Sequence, residues 1–218
     1  MTATDATRRE VAALHRELVR YGLVTWTAGN VSARVRGTEL FVVKPSGVPY
    51  DELEPSNMVV VDLEGAVVEG TLRPSSDASA HAYVYRHCPE VGGVVHTHST
   101  YAVAWAARGE PVPCVLTAMA DEFGGDIPVA PFAAIGDDAI GKVVVDAYRA
   151  TGSPAVLVKN HGPFTVGKDA RTAVKAAVMC EDVCRSVHAA VQLGSCAPID
   201  ATAIRGLHDR YQTIYGQR

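Results

Sequence analysis

A single α/β domain, built on a central, mostly antiparallel β-sheet flanked by helices, is what the sequence predicts. Three observations lead there. Short β-type runs are mixed with helical patterns but lack a regular βαβ alternation. Several of those runs are joined by tight glycine turns, which suit antiparallel neighbours. No linker, repeat or low-complexity stretch divides residues 1–218, so one domain covers the chain.

The elements can be justified in order. Asp5 to Tyr21 reads as an amphipathic helix, with Val11, Leu14, Leu18 and Val19 on one face and Arg8, Arg9, Glu10, Arg16 and Glu17 largely on the other; Gly22 stops it. A polar turn from Thr25 to Asn30 leads into the strand Val31 to Arg36, and Gly37-Thr38 turns the chain into a second strand, Leu40 to Val43. Lys44-Pro45-Ser46-Gly47 breaks that strand, Met58 to Asp62 is a third β run, and Gly65 turns it into Ala66 to Val68. Pro74-Ser75-Ser76-Asp77 opens a helix through Arg86. Val91 to His98 is a strand, Ser99 to Ala107 a helix, Ile127 to Val129 a short strand and Asp137 to Tyr148 a helix. The fully apolar run Ala155 to Val158 is a strand that ends at Lys159-Asn160-His161-Gly162; helices from Asp169 to Gln192 and from Asp200 to Tyr211 complete the chain.

Composition narrows the function. Apolar residues make up 48% of the chain, enough for a sizeable core. A formal net charge of -4, with no basic stripe, argues against nucleic acid as the partner. No apolar run approaches a membrane span, and the N-terminus has no apolar leader core. The five cysteines show no disulfide-like spacing; Cys180 and Cys184, one helical turn apart, read as small packing residues. A reduced, cytoplasmic protein without membrane or nucleic-acid partners is expected.

Gly92-Gly93-Val94-Val95-His96-Thr97-His98-Ser99 carries the strongest chemical signal. Residues two apart on a strand share a face, so His96 and His98 stand side by side. Such a pair is half of a tetrahedral metal site, although two surface or hydrogen-bonded histidines give the same pattern. His161, at the end of an apolar strand, is a third candidate. Ser75, Ser76 and Asp77 at a helix start serve equally as an N-cap or as an anion site that leaves Asp77 free for a metal. Gly29-Asn30 and Ser46-Gly47 sit in turns that expose backbone amides, and Lys44 adds a cation suited to phosphate. His15, His81, His87 and His188 lie in helical patterns as packing or solvent-facing residues, and His208 is left open.

In order, the chain carries Gly29-Asn30-Val31-Ser32, Lys44-Pro45-Ser46-Gly47-Val48, Val67-Val68-Glu69-Gly70-Thr71, Pro74-Ser75-Ser76-Asp77, Gly92 to Ser99, Ala120-Asp121-Glu122-Phe123, His161-Gly162-Pro163-Phe164 and Tyr215-Gly216-Gln217. From about residue 10 to the C-terminus this set resembles the class II aldolase/adducin family, and most of all its pentulose-5-phosphate 4-epimerase branch. The resemblance implies a zinc ion (or another divalent ion such as Mn2+ or Co2+) on His96, His98 and His161, with Asp77 at the further position where the typical aldolase has a glutamate. It implies a phosphorylated sugar bound by Gly29, Asn30, Ser46, Gly47, Ser75 and Ser76, with Lys44 close by. It gives the acid/base roles to Asp121 and Tyr215, the latter supplied by a neighbouring subunit of a homotetramer with interfacial active sites. The implied reaction interconverts L-ribulose 5-phosphate and D-xylulose 5-phosphate by retro-aldol cleavage and re-aldolisation. Cleavage of another ketose phosphate (fuculose or rhamnulose phosphate type), or a related decarboxylation, is the alternative. A metal-free scaffold like the adducin head domains is a third reading, opposed by the complete ligand set. Two departures bear on the sugar: the segment between Pro131 and Ala155 is shorter than in the epimerases, and the stretch before Tyr215 is compressed. With that gap allowed, His208 matches a histidine the epimerases place near the site.

Overall fold

The computed structural model describes residues 2–214 and Gly216. Among these, eight strands form one sheet: β1 (Asn30–Arg34), β2 (Leu40–Val43), β3 (Val59–Asp62), β4 (Val67–Glu69), β5 (Gly93–His96), β6 (Val129–Ala130), β7 (Ala155–Val158) and β8 (Gly162–Gly167). Their spatial order is β4-β3-β2-β1-β5-β8-β7-β6, and only β6 and β7 run parallel. The expected antiparallel sheet with flanking helices is therefore what forms.

Seven helices cover it: α1 (Ala3–Arg20), α2 (Ala78–His87), α3 (Thr100–Arg108), α4 (Thr117–Phe123), α5 (Ala139–Thr151), α6 (Ala170–Leu193) and α7 (Ala201–Ile214). α1 starts two residues earlier than its apolar pattern suggests, because Thr2 and Asp5 form a reciprocal capping box. Pleating sends alternate residues to opposite layers. Phe41, Val43, Val59, Val61 and Val94 pack with α2 and α5, while Val31, Ala33, Val42, Val60 and Val95 pack with α1 and α6. Because both faces are buried, β2 and β3 read as continuous apolar runs, whereas β1 alternates, with Ser32 and Arg34 between its apolar residues.

Two elements escape the sequence reading. β8 begins Gly162-Pro163, residues that punctuate chains more often than they extend strands. It forms because Asn160 takes a left-handed backbone (φ 58°) that closes a hairpin with β7, pairing Val158 with Gly162. α4 has only seven residues, too few to show helical periodicity. The strand expected over Val91 to His98 is shorter, ending at His96. β1 also stops at Arg34 rather than Arg36.

Antiparallel pairing gathers particular strand ends at one edge of the sheet. The start of β1, the end of β2, the end of β5 and the β7–β8 turn all meet there, with Asn30 directly opposite His96. Gly29, at φ 81°, makes this meeting possible: a Cβ there would lie 2.7 Å from Val24 Cγ1 and 3.0 Å from the His96 carbonyl.

Candidate metal centre and active site

His96, His98 and His161 meet at that edge, each offering a ring nitrogen within 4.8 Å of the others. The Nε2 atoms of His96 and His98 are 2.9 Å apart. Two ligands of a tetrahedral zinc stand about 3.3 Å apart when each Zn–N bond is about 2.0–2.1 Å. His96 is buried and donates from Nδ1 to the Pro163 carbonyl at 3.0 Å, which leaves its Nε2 lone pair for a cation. Phe164 stacks on the same ring at a centroid distance of 4.2 Å. Burial pushes the pKa of His96 down to about 3 against the opposing pull of Asp77, and burial also lowers that of His161. The neutral imidazole is the ligating form. Both ring nitrogens of His161 are buried without a hydrogen-bond partner among the described residues. Three converging imidazoles, one of them with both nitrogens orphaned, fit a divalent cation better than they fit a hydrogen-bonded core.

Asp77 stands beside this cluster but outside the 4.8 Å set. It occupies the N-cap position of α2 yet makes no side-chain capping bond. Its Oδ2 instead accepts from Asn30 Nδ2 at 2.7 Å, and Asn30 also donates to Ser75 Oγ at 3.0 Å. Of the capping and functional readings the sequence left open at this helix start, the structure removes capping by Asp77, while Ser75 Oγ accepts the Asp77 N–H at 3.4 Å. Burial raises the pKa of Asp77, but His96, His81, the Asn30 amide and His161 outweigh it and hold the carboxyl below its ordinary value.

A cavity of about 320 Å³ lies over these groups, lined by Gly29, Asn30, Lys44, Ser46, Gly47, Ser75, Ser76, Asp77, His96, His98 and His161, together with Thr27, Ala28 and Ile135. Eleven residues singled out along the sequence thus share one wall. Two details depart from expectation. The Ser46 amide is committed to the Arg73 carbonyl at 2.9 Å, and Val31 N–H to His15 Nε2 at 3.0 Å, so these turns expose fewer amides than their composition suggests. Lys44 is buried and donates to the Thr27 carbonyl at 3.0 Å; burial depresses its pKa against the pull of Asp77.

Asp121 is not brought to this cavity. It lies on α4 and lines a separate space of about 310 Å³ with Arg210, Tyr211, Ile214 and Gly216. His208 donates from Nδ1 to the Asp121 carbonyl at 2.9 Å, which gives that open residue a place. Tyr215 falls outside the described residues.

The architecture has known counterparts. The model of the class II aldolase and adducin N-terminal domain matches residues 9–188. The chain belongs to the class II aldolase and adducin family. L-ribulose-5-phosphate 4-epimerase UlaF of Salmonella paratyphi B is 45% identical over 189 residues, 82% of each chain. Among solved structures of the family's fold, an L-fuculose 1-phosphate aldolase superposes with a TM-score of 0.89 at 27% identity, covering 95% of this chain and 96% of that one. The L-fuculose-1-phosphate aldolase from Thermus thermophilus gives 0.69 at 26% identity, covering 89% and 98%. Among the described residues no helix is long and apolar enough to cross a membrane.

Four residues beside the site were assigned to general packing or missed. His15 is wholly buried and neutral, its pKa lowered by burial to about 3; it donates to the Val11 carbonyl at 2.7 Å and accepts from Val31 N–H. Tyr50 donates to the Ala28 carbonyl at 2.8 Å, steadying the loop before Asn30. Ser32 and His81 bond each other at 2.7 Å. The available signal was periodicity: Ser32 lies two residues from Asn30 on a strand, and His81 four from Asp77 on a helix.

Proposed function

We propose that this protein is a zinc-dependent sugar-phosphate epimerase that interconverts L-ribulose 5-phosphate and D-xylulose 5-phosphate. The observation that carries the reading is the cluster of three imidazoles with the ionised, Asn30-bound Asp77 beside it. A carboxylate with a depressed pKa is a weak proton acceptor near neutral pH, so it suits holding charge in place better than it suits deprotonating a substrate. Identity of 45% to curated epimerases supports the same choice.

His96, His98 and His161 would hold the divalent ion, with the Asp77 carboxylate beside them. When bound, the ion supplies Lewis-acid stabilisation of the negative charge that C3–C4 cleavage leaves on the ketose fragment. The Ser46, Ser75 and Ser76 hydroxyls and the Gly29-Asn30 and Gly47 turns bind the substrate, chiefly its phosphate. Lys44 adds positive charge and braces the Thr27–Asn30 loop. Inversion at C4 needs one proton-transfer group on each side of that carbon, because the two epimers carry their hydroxyl on opposite faces. Asp121 and Tyr215 take these roles. Asp121 lies in a different cavity from the imidazoles, which supports a site completed by a neighbouring subunit; the resemblance makes that assembly a cytoplasmic homotetramer.

Incubation of the zinc-loaded protein with L-ribulose 5-phosphate is expected to produce D-xylulose 5-phosphate, and the reverse. Absence of both products would overturn the reading. The TM-score of 0.89 with an L-fuculose 1-phosphate aldolase favours cleavage of another ketose phosphate as the second reading. Net release of dihydroxyacetone phosphate and an aldehyde from such a substrate would select it.

A further inference from the structure

His81 touches neither the cavity nor any of the three ligand imidazoles' nitrogens, yet it lies directly behind the site. It sits one turn along α2 from Asp77, on the same helix face. It is wholly buried, and its Nδ1 is 2.7 Å from Ser32 Oγ. That hydroxyl is in turn 2.8 Å from the phenol oxygen of Tyr85, also on α2. At the other end, His81 Nε2 and Asp77 Oδ1 are both buried, and neither has a partner among the described residues. Each orphaned polar atom is costly to bury, and the charge of Asp77 acts on the His81 ring.

The polarity of this chain is determined by its ends. Burial keeps the Tyr85 phenol protonated, so it has a hydrogen to give. If Tyr85 donates to Ser32 Oγ, the serine hydroxyl donates to His81 Nδ1 and the imidazole proton must sit on Nε2. The opposite polarity would leave a bare Nε2 lone pair near the Asp77 carboxylate, an unfavourable pairing of acceptors. Only the first arrangement directs a ring proton toward Oδ1.

We propose that His81 is a positioning residue whose Nε2–H bonds Asp77 Oδ1 through one buried water, and so aims the carboxylate into the cavity. The proposal rests on the reading of Asp77 as a member of the site. Asn30 grips one oxygen and His81 the other, which stops rotation of the carboxylate and leaves its remaining lone pairs directed at the imidazole cluster. The relay joins β1 to α2, so the strand that presents Asn30 and the helix that presents Asp77 are locked in one register.

The test needs no turnover. Imidazole 15N spectra of the metal-free protein are expected to place the His81 proton on Nε2 and that of His15, bonded to the Val11 carbonyl through Nδ1, on Nδ1. His81→Gln keeps an amide donor near the Nε2 position, whereas His81→Asn reaches only the Nδ1 side. Chelator competition is expected to show zinc binding weakened by roughly 10–100-fold in the Asn variant and restored toward wild type in the Gln variant. A His81 proton on Nδ1 in the wild-type protein, or equal zinc affinity in the two variants, would overturn the proposal. If the tautomer and zinc results hold but L-ribulose 5-phosphate is untouched, the His81–Asp77 link stands and the assigned reaction falls.

Discussion

The cavity around His96 and the cavity at Asp121 are built from different materials. The first is walled by strand ends and turns. Asn30, His96 and Lys44 there are buried, and each is tied to a carbonyl, a carboxylate or a hydroxyl. The second is walled by α4, α7 and Gly216, and there the Asp121 carbonyl accepts from His208 Nδ1. A metal ligand has to be rigid, because a misplacement of a few tenths of an ångström weakens coordination. Beside Asp121, Glu122 and Lys175 form a 2.7 Å ion pair between α4 and α6, and the Lys175 ammonium also sits over the Tyr211 ring of α7.

The sharpest way to break this comparison is to remove a ligand from the rigid side. His96→Ala or His98→Ala is expected to abolish both bound metal and turnover, read by metal analysis and by the epimerisation assay. On the other side, Asp121→Asn and Tyr215→Phe are expected to keep the metal and lower kcat by roughly 10²–10⁴-fold. Loss of metal in Tyr215→Phe would show that the residue does not act in proton transfer. Asn30→Ala removes the donor to Asp77 Oδ2 and is expected to reduce kcat/KM by roughly 10–100-fold.

An effect on stability rather than on turnover comes from His15. Its folded pKa of about 3 lies below the ordinary value of about 6.5, so between these values the unfolded chain binds more protons than the folded one. Stability is therefore complete above roughly pH 6.5 and falls as pH drops toward 3, by about 1.4 kcal/mol per pH unit for this one group. The urea midpoint is expected to fall between pH 7 and pH 4.5, and His15→Gln is expected to lower stability at pH 7 while flattening that slope.

Chain periodicity was enough to find β2, β3, β7 and the long helices, since an apolar run or a 3.6-residue stripe is a local property. The pairing of His96 with His98 was legible for the same reason. His161 and Asp77 were recognisable as residue types at element ends, but not as neighbours. Their meeting depends on strand order, with β5 between β1 and β8, and on a bond from Asn30 to Asp77 across 47 residues.

What the sequence determined by itself is the fold class, the family and the residue types available to chemistry. Tertiary structure decided the rest. It made β8 a strand despite Gly162-Pro163, because β5 and β7 supply partners on both sides. It turned Asp77 away from capping α2, because the Asn30 amide lies opposite. It took the Ser46 amide for Arg73 and the Lys44 ammonium for Thr27, and it placed Asp121 in a cavity of its own. The physical reason is common to all of these. Hydrophobic pattern acts along the chain, whereas each buried polar group must find its partner wherever the completed fold has placed one.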